Sequence, residues 1–173
     1  GEYGVISWWD YGHWITTEAE RIPNANPFQQ GSDLAANFLL APTEEKANSV
    51  LDSADEDDAH TRYVAVDWKM TQVYGGSQGK FFAPPRFEDQ YNTSAPDYYR
   101  GVEVQRNGQG TDQIFYYRTQ AYYDTTVVRL YEFHGSAIEP QPIVFDWERE
   151  PGEGRVTPSD GLTLKRFSNM SAA

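Results

Sequence analysis

A chain of 173 residues has room for one domain with a real core, or for one domain and part of a second. Aromatic residues make up 15% of it, which excludes an intrinsically disordered polypeptide. A net charge of −12 without any basic stripe excludes nucleic acid and anionic lipid surfaces as partners, and the absence of cysteine excludes a disulfide framework, a thiolate metal site and a cysteine nucleophile.

The acidic excess suits a halophilic source. In molar salt the Debye length falls to about 3 Å, so like charges stop repelling while they still hydrate the surface. An ordinary acidic mesophilic protein is the alternative. No apolar run approaches the roughly eighteen residues that span a bilayer. The first residues have no basic segment followed by an apolar one, so no signal peptide is expected, and Gly1 suggests a piece cut from something longer.

In chain order, Val5 and Ile6 predict a short strand, followed by a helical turn that Ser7 or Asp10 could cap. Residues 21–31 read as an irregular loop with Pro23, Asn24, Asn26, Pro27 and Gly31. Ser32 is placed to cap a helix from Asp33 to Leu40, with Leu34 and Phe38 on one face and Pro42 as the stop. Thr43 is placed to cap a second helix whose Glu44 and Glu45 favour the positive end of its dipole. Ala47, Val50 and Leu51 form its apolar side, and residues 52–58 read as a charged loop.

Residues 62–67 read as a buried strand, because Tyr63 to Val66 are almost uniformly apolar. A short helix over 68–74 follows, ended by Gly75 and Gly76. Val102 to Gln105 and Gln113 to Tyr117 flank Asn107-Gly108, a hairpin signal. Residues 121–133 fit helix or strand, and residues 143–147 fit a strand before a Gly- and Pro-rich tail. The sum is an α+β fold. A mainly helical central core occupies residues 1–140, and strands are more frequent in the second half. Residues 141–173 form a strand-containing tail, the start or remnant of a β domain.

Within the first strand-turn unit lies Trp8-Trp9-Asp10-Tyr11-Gly12. This motif resembles, at all five positions, the signature of the oligosaccharyltransferase catalytic subunits, whose archaeal members are called AglB. The resemblance implies a domain that follows the last membrane span of a membrane enzyme and lies on its extracytoplasmic face. Such an enzyme transfers a dolichol-phosphate-linked glycan onto Asn in Asn-X-Ser/Thr. It further implies that Trp8, Trp9 and Asp10 bind the Ser or Thr of the acceptor sequon, with Tyr11 and Gly12 in support as a packed ring and a tight turn. Family members carry a second motif, Asp-X-X-Lys or Met-X-X-Ile, on a helix after a strand. Here Asp67 and Lys69 stand one residue too close for the first form, and Met70 to Val73 fits the second with Val in place of Ile. Met70 and Val73 thereby join the expected acceptor site, with Asp67 and Lys69 as supporting residues. Residues 123–136 also resemble a family segment, so the resemblance covers the first 140 residues or so.

By this resemblance the parent enzyme uses Mn²⁺ or Mg²⁺, held by membrane and loop regions that are not in this chain. The piece itself is then expected to bind no metal, to meet the lipid-linked oligosaccharide only through the membrane part, and to be inert alone. The chemistry suits the residues. A carboxylate such as Asp10 can accept a hydrogen bond from the sequon hydroxyl, and indole N–H groups can only donate. Trp and Tyr in this number also fit an extracytoplasmic carbohydrate-binding or structural module without catalysis.

Other patterns carry less. His13, His60 and His134 form no ligand cluster, and the acidic run 52–58 lacks the spacing and glycine of a calcium loop. Gly75, Gly76, Gly79 and Lys80 imitate a phosphate loop without its Gly-Lys-Ser/Thr end. Asn92-Thr93-Ser94 and Asn169-Met170-Ser171 are themselves sequons.

Overall fold

The computed structural model describes residues 3–54, 60–73, 79–104, 113–138, 141, 143–146 and 163–166. Seven short helices and seven strands lie among them, an α+β architecture with the helices around the core. The first half holds a three-stranded parallel sheet in the order β2-β1-β3, made of β1 (Gly4–Ile6), β2 (Ile22–Pro23) and β3 (Thr61–Val64). Central β1 is buried along its length, as expected for a parallel strand covered on both faces. Val5 pairs with Pro23 on one side and with Tyr63 on the other. The stretch read as an irregular loop thus contributes an edge strand.

β3 differs from the sequence expectation. The strand ends at Val64 and is mostly exposed, with Tyr63 58% accessible. An unbroken apolar run suggested burial, but the strand lies at the edge of a narrow sheet. Its aromatic is used against Tyr3, at a ring-centroid distance of 4.9 Å.

Helix α1 (Gly12–Thr17) follows the signature. Helix α2 (Ser32–Leu40) is the centre of the core, buried at every position from Ala35 to Leu40. Its cap is Gly31, not Ser32. Gly31 takes φ +71°, and a side chain there would stand 2.1 Å from the Asn24 carbonyl oxygen. Ser32 lies inside the first turn and donates to the Gln29 carbonyl at 2.8 Å. Helix α3 (Glu44–Ala54) is capped as expected, with Lys46 N–H donating to Thr43 Oγ1 at 3.3 Å. Because α3 runs to Ala54, the first part of the supposed charged loop is helical, and residues 55–59 lie outside the described residues.

Helix α4 (Trp68–Thr71) is one turn, shorter than expected, since Gln72 is already extended. Its glycine stop at 75–76 lies outside the described residues. Helix α5 (Ala95–Tyr98) leads into the antiparallel pair β4 (Tyr99–Val104) and β5 (Gln113–Arg118). The hairpin signal is met by these strands, while Asn107 and Gly108 lie outside the described residues. The ambiguous segment 121–133 is two helices, α6 (Gln120–Asp124) and α7 (Thr126–Phe133). Extended Thr125 breaks them. The N–H and hydroxyl of Thr126 both donate to the Ala41 carbonyl, at 3.0 and 2.9 Å, tying α7 to the end of α2. Strands β6 (Ile143–Asp146) and β7 (Thr163–Arg166) pair antiparallel in the tail.

The core gathers Ile6, Trp8, the α2 residues, Val50, Met70, Val73, Phe81, Tyr98, Tyr122, Val127 and Val128. Phe81, fully buried, is its aromatic hub. It meets Tyr98 at 5.6 Å and Tyr122 at 4.9 Å between ring centroids.

Candidate acceptor-recognition site

The signature sits where the parallel sheet hands over to helix. Beyond β1 the chain keeps alongside β3. Ala65 N–H donates to the Ile6 carbonyl at 3.0 Å, and Ser7 Oγ donates to the Ala65 carbonyl at 2.8 Å. Ser7 is thereby committed to the sheet and caps nothing. Trp8 precedes a 3₁₀ turn over Trp9–Tyr11, and no side chain, Asp10 included, caps that turn. Asp10 is left free for other contacts.

Gly12 is required for a different reason than expected. Its backbone is ordinary right-handed helix, φ −55°, so no special turn is made. A Cβ at this position would stand 2.4 Å from the Ala25 carbonyl oxygen and 2.8 Å from Asn26 Cα. The glycine therefore lets the signature press directly against the backbone of Ala25 and Asn26.

Within the motif the two indoles part company. Trp8 is 2% exposed, with its ring edge-on to Phe87 at 5.5 Å. Trp9 is half-buried, 6.1 Å from the Trp8 ring. Trp9 Nε1 and Asp10 Oδ1 are both shielded from solvent and, among the described residues, neither has a hydrogen-bond partner. A donor and an acceptor on consecutive residues are thus unpaired. That is a costly arrangement unless a ligand completes it.

The other oxygen of Asp10 is engaged. Lys80 Nζ donates to Oδ2 at 2.5 Å, and the same ammonium lies 4.0 Å from the Tyr11 ring centroid. Tyr11 in turn donates its hydroxyl to Asp67 Oδ2. Asp67 Oδ1 accepts the Met70 N–H at 3.1 Å, the N-cap of α4. Burial pushes the Tyr11 phenol up, the bond to Asp67 pushes it further, and nearby Lys80 only partly opposes them. Burial alone would pull Lys80 down, but its bonds to Asp10 and Tyr11 prevail and hold it above the ordinary lysine value. At neutral pH the phenol stays a donor and the ammonium stays charged.

The structure therefore unites Asp10, Tyr11 and Asp67 in one network, and Trp9 adjoins it. Met70 and Val73 lie beneath, in the core with Trp8, at 4% and 2% exposure. Lys69 points elsewhere, with Nζ 5.7 Å from the Trp68 ring centroid. Its carbonyl, however, accepts the Lys80 N–H at 2.8 Å. Lys80 is the member that sequence reasoning missed, because it was weighed only as the end of a glycine run. A usable signal existed: it is one of few lysines in an acidic chain and directly precedes Phe81-Phe82. Among the described residues, no three His, Asp or Glu side chains converge as metal ligands would.

Comparisons with known proteins place the chain. Residues 1–71 match a family model described as the AglB core domain. An aligned stretch of 183 residues, covering all of this chain, is 50% identical to the dolichyl-monophosphooligosaccharide–protein glycotransferase AglB of Haloferax volcanii. The chain spans 17% of that relative's length. Among solved structures, the Archaeoglobus fulgidus oligosaccharyltransferase in complex with Zn and sulfate superposes with a TM-score of 0.59 at 27% identity, over 85% of this chain and 20% of that one. A structure of the same enzyme, tethered through a disulfide to an acceptor peptide containing the NVT sequon, gives 0.58 at 27% identity, over 88% and 19% of the two chains. In sequence and in fold, the chain belongs to the archaeal AglB-type oligosaccharyltransferases, as a segment of one.

Proposed function

We propose that this segment reads the acceptor sequon Asn-X-Ser/Thr for a membrane enzyme that transfers a dolichol-phosphate-linked glycan to Asn. The observation that carries the reading is two buried polar atoms, Trp9 Nε1 and Asp10 Oδ1, that have no hydrogen-bond partner among the described residues. A Ser or Thr hydroxyl is both donor and acceptor, so in this reading it donates to Oδ1 and accepts from Nε1. The two side chains are themselves partly exposed. Such a charge-assisted bond contributes about 1.5–3 kcal/mol, and a peptide lacking the hydroxyl leaves both atoms unpaired.

Residues 1–140 form the recognition core, on the extracytoplasmic face of the cell membrane in the parent protein. Trp8, Met70 and Val73, all in the core, back the acceptor site in this reading. A contact from Val73 to the Thr methyl, about 0.8 kcal/mol, would favour Thr over Ser several-fold. At 2% exposure Val73 needs a small opening of the site to make it. Tyr11, Gly12 and Asp67 hold the loop in place, and Lys69 contributes its carbonyl. In this reading the Mn²⁺ or Mg²⁺ of the whole enzyme is held by its membrane and loop segments, as the family resemblance implies. The acidic surface is that of a halophilic protein.

The test is peptide glycosylation by the full-length enzyme carrying Asp10→Ala. Transfer to sequon peptides is expected to be abolished, and near-normal transfer would sink the assignment. The 173-residue piece alone is expected to transfer nothing.

A further inference from the structure

We propose that Lys80 is a positioning residue for acceptor recognition: its ammonium fixes Oδ2 of Asp10 and so reserves Oδ1 for the sequon hydroxyl. This rests on the sequon-reading function above. A carboxylate on a short surface turn can rotate and present either oxygen to water or peptide. Here one oxygen is already taken at 2.5 Å, and the remaining oxygen has no hydrogen-bond partner among the described residues.

Lys80 is itself held at both ends. Its N–H is bonded to the Lys69 carbonyl at 2.8 Å, and the next residue is Phe81, fully buried, whose N–H donates to the Gln72 carbonyl at 3.1 Å. Its ammonium rests over the Tyr11 ring, and that ring is pinned through its hydroxyl to Asp67. The side chain thus reaches Asp10 from a hydrogen-bonded backbone, and the order it imposes is prepared before the peptide arrives. The chain of contacts also gives Asp67 a purpose in recognition. It caps α4 and orients the tyrosine that seats Lys80.

The pair is separated by 70 residues in sequence, so it joins the signature to a segment far along the chain. Both partners are partly accessible, at 26% for Lys80 and 31% for Asp10. Such a pair adds little to stability, which leaves orientation of the carboxylate as its purpose.

The experiment is steady-state kinetics of the full-length enzyme with Lys80→Met, Lys80→Arg and Asp10→Ala, varying acceptor peptide and lipid-linked donor separately. Lys80→Met is expected to raise the acceptor KM about tenfold or more while the donor KM stays within about twofold, and Lys80→Arg is expected to recover most of the loss. A purely structural role would move both KM values and lower the melting temperature, with no rescue by arginine. Lys80→Gln repeats the measurement if the methionine variant aggregates. A wild-type acceptor KM in Lys80→Met and Lys80→Gln, or equal losses in the arginine and methionine variants, overturns the inference. Asp10→Ala separates the two levels. If it loses transfer while Lys80→Met is normal, only the role of Lys80 falls. If Asp10→Ala is itself normal, the sequon-reading function falls and this inference with it.

Discussion

Tyr122 links the helical core to the element beneath the signature, and its removal has a calculable effect. The ring is 2% exposed and packs on Phe81, and the hydroxyl donates to the Thr71 carbonyl at 2.6 Å, at the end of α4. Burial is the main reason that its phenol is pushed up to about 12. Folding therefore favours the neutral form. That contribution is complete below pH 10, falls as pH rises from 10 to about 12, and is gone above, a loss of about 2–3 kcal/mol across the window. In Tyr122→Phe the carbonyl loses its donor, which lowers stability by about 1–3 kcal/mol at neutral pH. The phenylalanine does not titrate, so the variant does not share the alkaline loss. Urea unfolding of both proteins at intervals from pH 7 to 12 should show two curves that are separated at pH 7 and converge by pH 12. Other tyrosines titrate equally in both proteins and cancel in the comparison. A constant gap through pH 12 would refute the account of Tyr122 as a buried neutral donor.

Gly12→Ala forces a Cβ to within 2.4 Å of the Ala25 carbonyl, and the overpacking should lower unfolding free energy by about 1–3 kcal/mol, read by urea titration. Phe81→Ala removes the hub of the aromatic cluster and should cost about 3–5 kcal/mol, enough to leave much of the chain unfolded by circular dichroism. At Asn92 the sequon hydroxyl belongs to Ser94, which donates to Asp97 at 2.8 Å in the capping box of α5. The folded protein should therefore show no glycan at Asn92 by intact-mass and peptide mass spectrometry, whereas Ser94 freed by Asp97→Ala should permit some. For a chain of net charge −12, raising KCl from 0.1 M to 1 M shortens the Debye length from about 10 to about 3 Å and should raise the melting temperature. An unchanged melting temperature would count against halophilic adaptation.

What the sequence made legible was local. The first strand needed only Val5 and Ile6, the start of α3 needed only Thr43 before two glutamates, and the signature is contiguous. What it hid depended on partners far along the chain. β3 looked buried because its residues are apolar, yet whether an apolar strand is central or at an edge is decided by its neighbours, and among the described residues β3 pairs with β1 alone. Ser32 looked like a cap because serine usually is one, but Gly31 alone can adopt the left-handed backbone that Asn24 leaves room for. Ser7 and Gly12 were assigned local tasks, and the structure gives them long-range ones against Ala65 and Ala25. Lys80 is the clearest case, since its meaning comes from a carboxylate 70 residues away. The break between α6 and α7 was invisible for the same reason: Thr126 is fixed by the carbonyl of Ala41.

The central claim is that Asp10 reads a hydroxyl, and equilibrium binding of two peptides to the full-length enzyme tests it most directly. One peptide carries Asn-Val-Thr and the other Asn-Val-Val, which differ by hydroxyl against methyl at equal shape. The wild-type enzyme should prefer the threonine peptide by about tenfold or more, the equivalent of one charge-assisted hydrogen bond. With Asp10→Asn that preference should collapse to within about twofold, because the hydroxyl loses its charged acceptor. A preference that survives Asp10→Asn undiminished would place the hydroxyl elsewhere and contradict the account.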